Sequence, residues 1–384
     1  MVDSILSDGA HQSNLAERIA YSKPRGSDGK MRLGIFWPHS RTILPSALLV
    51  ARNPDILNVD NHMQLAKAAE DVGIDCLLIA DGYASMSDRA SEIQFNDPST
   101  HGLLSAVPLI MATERIGILS TIHTTFLHPV QIARFGSHLS SLSGGRWGWN
   151  IVVGRRLAEA QLFGYDDVLD HDLRYDMADE CVRVVRDLWS HPKGLDHKGK
   201  MFRVKGRMRG PFPKEQPLLV SAASSGRGHA FAIEHCDYLF ATVSGPQGIC
   251  EIRDDLGKRA AEVGRSAPPV LITAIILVRD RPGEAEREYA EIVESLDPVV
   301  HRAVSESHAQ ITQGGKMTDF PTLLGTAEEV AEKIMHLHQQ TGITGLMFRL
   351  PYWIPEEVLR LGAVFERLEN FGVWTNPATR QYAW

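Results

Sequence analysis

The sequence predicts an α/β protein: a (β/α)8 TIM barrel with insertion segments after several strands. Three observations predict it. Short apolar runs alternate with amphipathic stretches from residue 31 to residue 371, and the runs are nearly continuous, as in strands of a parallel sheet buried on both faces. The alternation makes eight strand–helix units, which fit a closed barrel better than an open sheet. Two of the strands carry polar residues, Thr121 and Asn150, in their C-terminal parts, the end where such folds place their chemistry.

Taken in order, 31–37 (MRLGIFW) is the first strand, stopped by Pro38. Residues 61–72 are Ala-rich and helical, with Gly73 placed as the C-terminal cap. Strand two is 76–80 (CLLIA), and 82–99 reads as a long polar loop. A helix over 102–113 leads to strand three at 116–121. The next helix, 128–141, ends at Gly144-Gly145 and is followed by strand four, 146–153. Tyr175, Ala178, Val182, Val185 and Trp189 recur at helical spacing within 174–190. Residues 191–216, rich in Lys, Gly, Pro and Arg, form an excursion. Strand five (218–222), a helix (228–235), strand six (238–242) and a helix (249–263) follow. Strand seven is 270–278 (VLITAIILV), with a helix at 284–294 and a further excursion at 299–323. Thr326 and Glu329 form a capping box that opens a helix to residue 340. Strand eight is 345–349 and the closing helix 355–371. The expected organisation is an N-terminal arm (1–30), the barrel (31–371) and a C-terminal tail (372–384).

Composition narrows the function. The 384 residues are 43% hydrophobic, enough for a large core, and carry a net charge of -7 with no basic block. That argues against a nucleic-acid partner. Four cysteines without a C-x-x-C pair fit a reducing compartment, and Cys76 reads as a small core hydrophobe. The first thirty residues hold no apolar run of signal-peptide type, and no stretch is long enough to span a membrane. A cytoplasmic protein is expected.

Several chemistries lack their signatures. There is no H-E-x-x-H, no zinc-type Cys/His spacing, no nucleophile elbow and no phosphate loop of the G-x-x-x-x-G-K type. No metal site is expected; His123 and His128 do not share a helical face. What remains is polar residues at strand ends. Asp81 and Gly82 follow strand two. Asn150 lies inside an apolar run and needs a partner, either within the barrel or on a bound cofactor. Ser224, Ser225 and Gly226 follow strand five and open a helix, an arrangement that binds anions through free N–H groups. Arg227 adds a cation there. Tyr175 is either core packing or a cofactor contact, Arg155-Arg156 either a solvated loop or an anion gate, and His229 either a substrate group or, more in keeping with its position, a surface helix residue.

The segments HPVQIARFGSHLSSLSGGRWGWNIVVG, HDLRYD, VSAASSGRGHAFA and LLGTAEEVAEKI resemble the bacterial luciferase-like flavin monooxygenases. The run Asn150-Ile-Val-Val-Gly is similar to the Asn-x-Val-Thr-Gly motif of a subgroup with alkanesulfonate, dibenzothiophene sulfone, long-chain alkane and pyrimidine monooxygenases. Val153 stands where that motif has threonine, and Arg155-Arg156 replaces the usual Gly-Trp or Gly-Gly continuation. The resemblance implies a two-component enzyme. Reduced FMN comes from a separate NAD(P)H-dependent flavin reductase, O2 is the co-substrate, and a flavin peroxide attacks a small organic substrate. It implies that Thr121 and Asn150 place oxygen near flavin N5, and that Glu159, Arg174, Tyr175 and Ser225 contact the flavin and its phosphate; Asp81, Gly82 and Ser224, at the strand ends, complete the expected cofactor site. It also implies a homodimer or homotetramer. The Thr121/Asn150 pair favours attack on an amide or N-heterocycle, with C–N cleavage or ring opening. C–S cleavage of a sulfonate or sulfone, a deazaflavin-dependent dehydrogenase and a non-catalytic flavin-binding barrel are the alternatives. The segments 82–99, 191–216 and 299–323 are candidate lids, Gly314-Gly315-Lys316 being a mobile tip.

Overall fold

Eight parallel strands close on themselves in the computed structural model, which describes residues 28–243, 245–311 and 321–380. They are β1 (Arg32–Trp37), β2 (Cys76–Ile79), β3 (Gly117–His123), β4 (Trp147–Val152), β5 (Leu218–Ala222), β6 (Tyr238–Ala241), β7 (Val270–Val278) and β8 (Gly345–Arg349). Each pairs with the next, β6 pairs with β7, β7 with β8, and β8 returns to β1. The outer helices are α1 (Val59–Val72), α2 (Gly102–Ala112), α3 (Pro129–Leu142), α4 (His171–Ser190), α5 (Gly226–His235), α6 (Gly245–Glu262), α7 (Ala327–Thr341) and α8 (Leu361–Asn370). The barrel expectation holds.

The strands sort their side chains by the two-residue alternation. Cys76, Leu78, Leu119, Leu218, Val220, Tyr238, Leu271 and Met347 form one buried cluster in the lumen. Neighbouring residues such as Ile118, Trp147, Trp149 and Leu219 join the larger cluster between barrel and helices. Thr121 and Asn150 lie two residues beyond Leu119 and Gly148, on the lumen side above the apolar layer.

Local chemistry sets the elements that carry them. His128 caps α3 in a capping box with Gln131. After α3, Gly144 and Gly145 take φ of 65° and 92°, conformations that favour glycine. Arg146 then donates to the carbonyls of Ile110, Thr113, Ile116 and Ser143. This ties the start of β4 to the end of α2 and the start of β3, a physical reason for the S-G-G-R sequence. The indoles of Trp147 and Trp149 donate to Ser120 Oγ and the Ile122 carbonyl. Behind β4, a Cβ on Gly136 would stand 2.7 to 2.9 Å from the rings of Trp147 and Trp189. Both rings are buried and rigid, so Gly136→Ala is expected to lower stability by about 1–3 kcal/mol in urea unfolding.

The differences from expectation are short elements. The 82–99 loop contains a helix, Asp88–Glu92, and Thr121 is followed in its strand by two more residues. The 191–216 excursion contains an antiparallel hairpin, Leu195–Lys198 with Arg203–Gly206. Glu180 of α4 holds it by accepting from the Met201 and Phe202 N–H groups and pairing with His197. The 299–323 excursion starts with a helix, Pro298–Ile311, and ends in strand Thr322–Gly325, which pairs with the far half of β7. Helices Ala47–Arg52 and Leu157–Leu162 are additional, and the closing helix divides at Arg360. Most of the expected N-terminal arm and the Gly314-Gly315-Lys316 tip lie outside the described residues. Beyond residue 371, Trp374 is buried and donates to Asp75, which also binds Arg380.

Candidate functional site

A cavity of about 640 Å³ opens at the C-terminal end of the barrel. The end of β2 and its loop supply Asp81, Gly82 and Tyr83; β3 supplies His123; β4 and the turn after it supply Val152 to Arg156; β5 supplies Ser224 and Ser225; and α4 supplies His171, Arg174 and Tyr175. The expected residues Asp81, Gly82, Glu159, Arg174, Tyr175, Ser224 and Ser225 therefore come together on its wall.

Thr121 and Asn150 are register partners across β3 and β4. Their exposures are 4% and 3%, and the Asn150 amide donates to Thr121 Oγ1 at 2.8 Å. The same geometry leaves Asn150 Oδ1 buried with no hydrogen-bond partner among the described residues. Val153, where the motif has threonine, receives a hydroxyl from another source: Thr125 Oγ1 donates to its carbonyl at 2.6 Å. The neighbouring Thr124 N–H bonds the Val152 carbonyl. Thr124 and Thr125 were missed because serine and threonine are common in loops and nothing in their spacing sets them apart.

A second group forms at the N-terminus of α5. Ser225 caps this helix by accepting from the Gly228 N–H at 3.1 Å, and His171 Nε2 lies 3.1 Å from the same hydroxyl. Burial raises the Tyr175 phenol pKa, against a hydrogen bond with Ser225. Arg174 donates to the Gly154 carbonyl at 2.7 Å, and its buried Nε has no partner among the described residues. Unpaired N–H groups at a helix start beside a guanidinium suit a phosphate. Arg227 does not join them. It is held by Asp179 at 2.6 Å and Asp176 at 3.3 Å, with its guanidinium over the Tyr175 ring. His229 is not on the surface either: it is 5% exposed and its Nδ1 lies 2.6 Å from Asp255. The helix turns that face toward α6, which a helical pattern without its partner does not reveal.

The third group is the β2 loop. Asp81 accepts from the N–H groups of Gly82 and Gly102, the latter at the start of α2. Burial raises its pKa, with His101 and these N–H groups opposing. Glu159 accepts from the Tyr83 N–H at 3.1 Å, and Arg156 donates to the carbonyls of Ala84 and Ser85. Arg156 is thus a clamp on this loop, and Arg155 alone of the pair is available at the cavity mouth. Tyr83 is held neutral, its pKa pushed up to about 12 by burial and by the carboxylates of Asp81 and Glu159.

Two histidines on the wall are also neutral. Burial lowers the pKa of His123 to about 4, helped by the nearby Arg156 guanidinium, and that of His39 to about 4, helped by Arg349. For His123 the unfolded chain binds the proton more tightly, so stability rises with pH between about 4 and 6.5. Shifting from pH 7 to pH 4 is expected to cost roughly 3 kcal/mol through His123 alone. Urea unfolding across that window tests this; His123→Asn should flatten the slope by up to about one proton.

A closed barrel with a cavity at its C-terminal end, a serine-capped helix start on the cavity wall and the buried Thr121–Asn150 pair outside the lining defines a barrel with a small-molecule site at its strand ends. The family follows from the sequence: residues 31–345 match the model for luciferase-like monooxygenases, and the chain belongs to that family. It is 30% identical over 286 residues to N-acetyl-S-(2-succino)cysteine monooxygenase of Bacillus subtilis (strain 168), covering 67% of this chain and 64% of that protein, under two thirds of its length. It is 24% identical to a pyrimidine monooxygenase of Agrobacterium fabrum, over 83% of this chain and 88% of that one. The structure of riboflavin lyase, solved with modified FMN and riboflavin, superposes with a TM-score of 0.80 at 22% identity, covering 92% and 94% of the two chains. At that identity the likeness is one of fold.

Proposed function

We propose that this protein is the oxygenase of a two-component FMN-dependent monooxygenase. It takes reduced FMN from a separate NAD(P)H-dependent flavin reductase and, with O2, oxygenates an amide or electron-poor N-heterocycle, cleaving a C–N bond or opening a ring. The Thr121–Asn150 pair carries this reading. Donating its amide to Thr121 fixes the Asn150 side chain, keeps its Oδ1 buried and unpaired among the described residues, and leaves the Thr121 hydroxyl proton free to donate. The pair is neutral, so it supplies directed hydrogen bonds without an acid that would release peroxide.

The residues fit FMN. The cavity lies within the roughly 300–1,000 Å³ range of small-molecule sites. Ser224, Ser225 and Arg174 would hold the phosphate, and Tyr175, Glu159, Asp81 and Gly82 would line the rest of the flavin. When bound, reduced FMN supplies two electrons to O2, so that one oxygen atom enters the substrate and the other leaves as water. The protein's own part is orientation and exclusion of water. Thr121 and Asn150 set the position of oxygen, and the pinned β2 loop closes one side of the cavity. The modified FMN with which riboflavin lyase was solved and the pyrimidine monooxygenase among the relatives support this reading. It places the protein in the cytoplasm as a homodimer or homotetramer.

The test is a substrate screen with FMN, NADH, a flavin reductase and ¹⁸O2, read by mass spectrometry. One labelled oxygen in an amide or heterocycle product is expected. NADH consumption that yields only hydrogen peroxide with every compound tried would overturn the proposal.

A further inference from the structure

The wall of the cavity next to the β2 loop is aromatic. Tyr83 and His123 face the cavity with ring centroids 5.3 Å apart. Phe126 and Phe163 back them, stacked on each other at 4.4 Å and 8°, with Tyr83 edge-on to both. His123 is 5% exposed, and its Nδ1 is buried with no hydrogen-bond partner among the described residues. A cavity ligand does not reach the sealed Nδ1; the ring nitrogen open to it is Nε2, which makes no hydrogen bond among the described residues. At the mouth stands Arg155, exposed and lining the cavity. It makes no hydrogen bond or ion pair among the described residues. Its charged neighbours are Arg156, Arg174 and Glu159, and Glu159 is already engaged by Arg156 and the Tyr83 N–H. Two like charges beside an unpaired guanidinium make a place for an anion.

We propose that these two features form one substrate subsite that selects a planar aromatic or heteroaromatic ring carrying a carboxylate. The ring lies against Tyr83 and His123, a ring donor or acceptor meets His123, and the carboxylate pairs with Arg155. The subsite rests on the monooxygenase reading for its role, and it narrows the heterocycle proposed above to an anionic one. Phosphate of the cofactor is assigned to Ser224 and Ser225 at the start of α5; Arg174 neighbours Arg155, so FMN titration of the Arg155 variant decides whether the two anions share a cation. The two rings are tilted by 54°, so a planar ring rests its face on one and its edge on the other, a contact a saturated ring does not make, and Arg155 adds an ion pair that a neutral amide lacks.

The test uses the protein loaded with oxidised FMN and three probes: benzoate, cyclohexanecarboxylate and benzamide. Binding is read by calorimetry, and FMN binding to the flavin-free protein is titrated separately. Benzoate is expected to bind at least about tenfold more tightly than either comparator, since the first lacks the flat ring and the second the charge. Arg155→Ala should weaken benzoate by about tenfold or more and leave benzamide and FMN unchanged; His123→Leu and His123→Asn should weaken benzoate and benzamide alike. No benzoate binding, equal binding of the three probes, or an Arg155→Ala effect on FMN in place of benzoate overturns the subsite. Failure of FMN to bind the wild-type protein overturns the monooxygenase reading instead.

Discussion

Asn150→Ala is expected to lower substrate oxygenation by about 10²–10³-fold while the protein still folds and binds FMN. The reason is geometric. The amide of Asn150 donates to Thr121 Oγ1 at 2.8 Å and its Oδ1 stays unpaired, so removing the side chain deletes both the acceptor and the group that orients the Thr121 hydroxyl. The stability cost is small, about 1 kcal/mol, because one hydrogen bond is lost and one unsatisfied buried oxygen is removed with it. Thr121→Ala should reproduce most of the loss, and the double substitution should cost little more than either alone, as expected for groups that act as a unit. The measurement is the ratio of ¹⁸O-labelled product to hydrogen peroxide per NADH. If that ratio is unchanged in both single variants, the pair does not place oxygen.

Gly228→Ala is expected to raise the FMN dissociation constant by about 10–100-fold, whereas Gly226→Ala, two residues earlier on the same helix, should change it little. A Cβ on Gly228 would stand 2.5 Å from Tyr175 Oη and 2.6 Å from the Ala223 Cβ. Neither neighbour can yield cheaply: Tyr175 is 5% exposed, and the buried Ala223 Cβ is fixed to the backbone one residue beyond β5. Either α5 moves away from β5 or Tyr175 leaves its place beside Ser225, and both disturb the phosphate-binding helix start. On Gly226 the Cβ would meet the guanidinium of Arg259, the free end of a flexible side chain, at 2.8 Å. Fluorescence titration of FMN separates the two. Equal effects would show that the phosphate does not depend on the α5–Tyr175 contact.

The site was legible where chemistry and period coincide in one segment. Asn150 could be singled out because a polar residue inside Trp-Asn-Ile-Val breaks a strand's apolar pattern, and Ser224-Ser225-Gly226 because small residues at a strand–helix junction have few other uses. Arg227 and His229 were misjudged for the same reason as each other. Whether a helix residue faces an ion-pair partner, a neighbouring helix or a ligand depends on elements far away in the chain, here Asp179 on α4 and Asp255 on α6. Tyr83 carries no signal in the sequence and His123 is weighed there only as a metal ligand, because their wall is assembled from β2, β3 and the helix Leu157–Leu162, with no local spacing that announces it. The hairpin in the 191–216 excursion was invisible because its strands bury only alternate side chains and depend on Glu180 for anchoring.

By itself the sequence determined that the chain is an eight-unit barrel, which residues end its strands, and the family to which those strand ends are similar. These rest on periodicity, capping and turn chemistry, which act over a few residues. Only the tertiary structure decided that Thr121 and Asn150 are bonded register partners with one oxygen left unpaired, that Arg156 is a loop clamp while Arg155 is not, and that two buried histidines face the cavity uncharged. Those properties come from distances between separate strands and from loss of water around ionisable groups, which exist only once the barrel has closed.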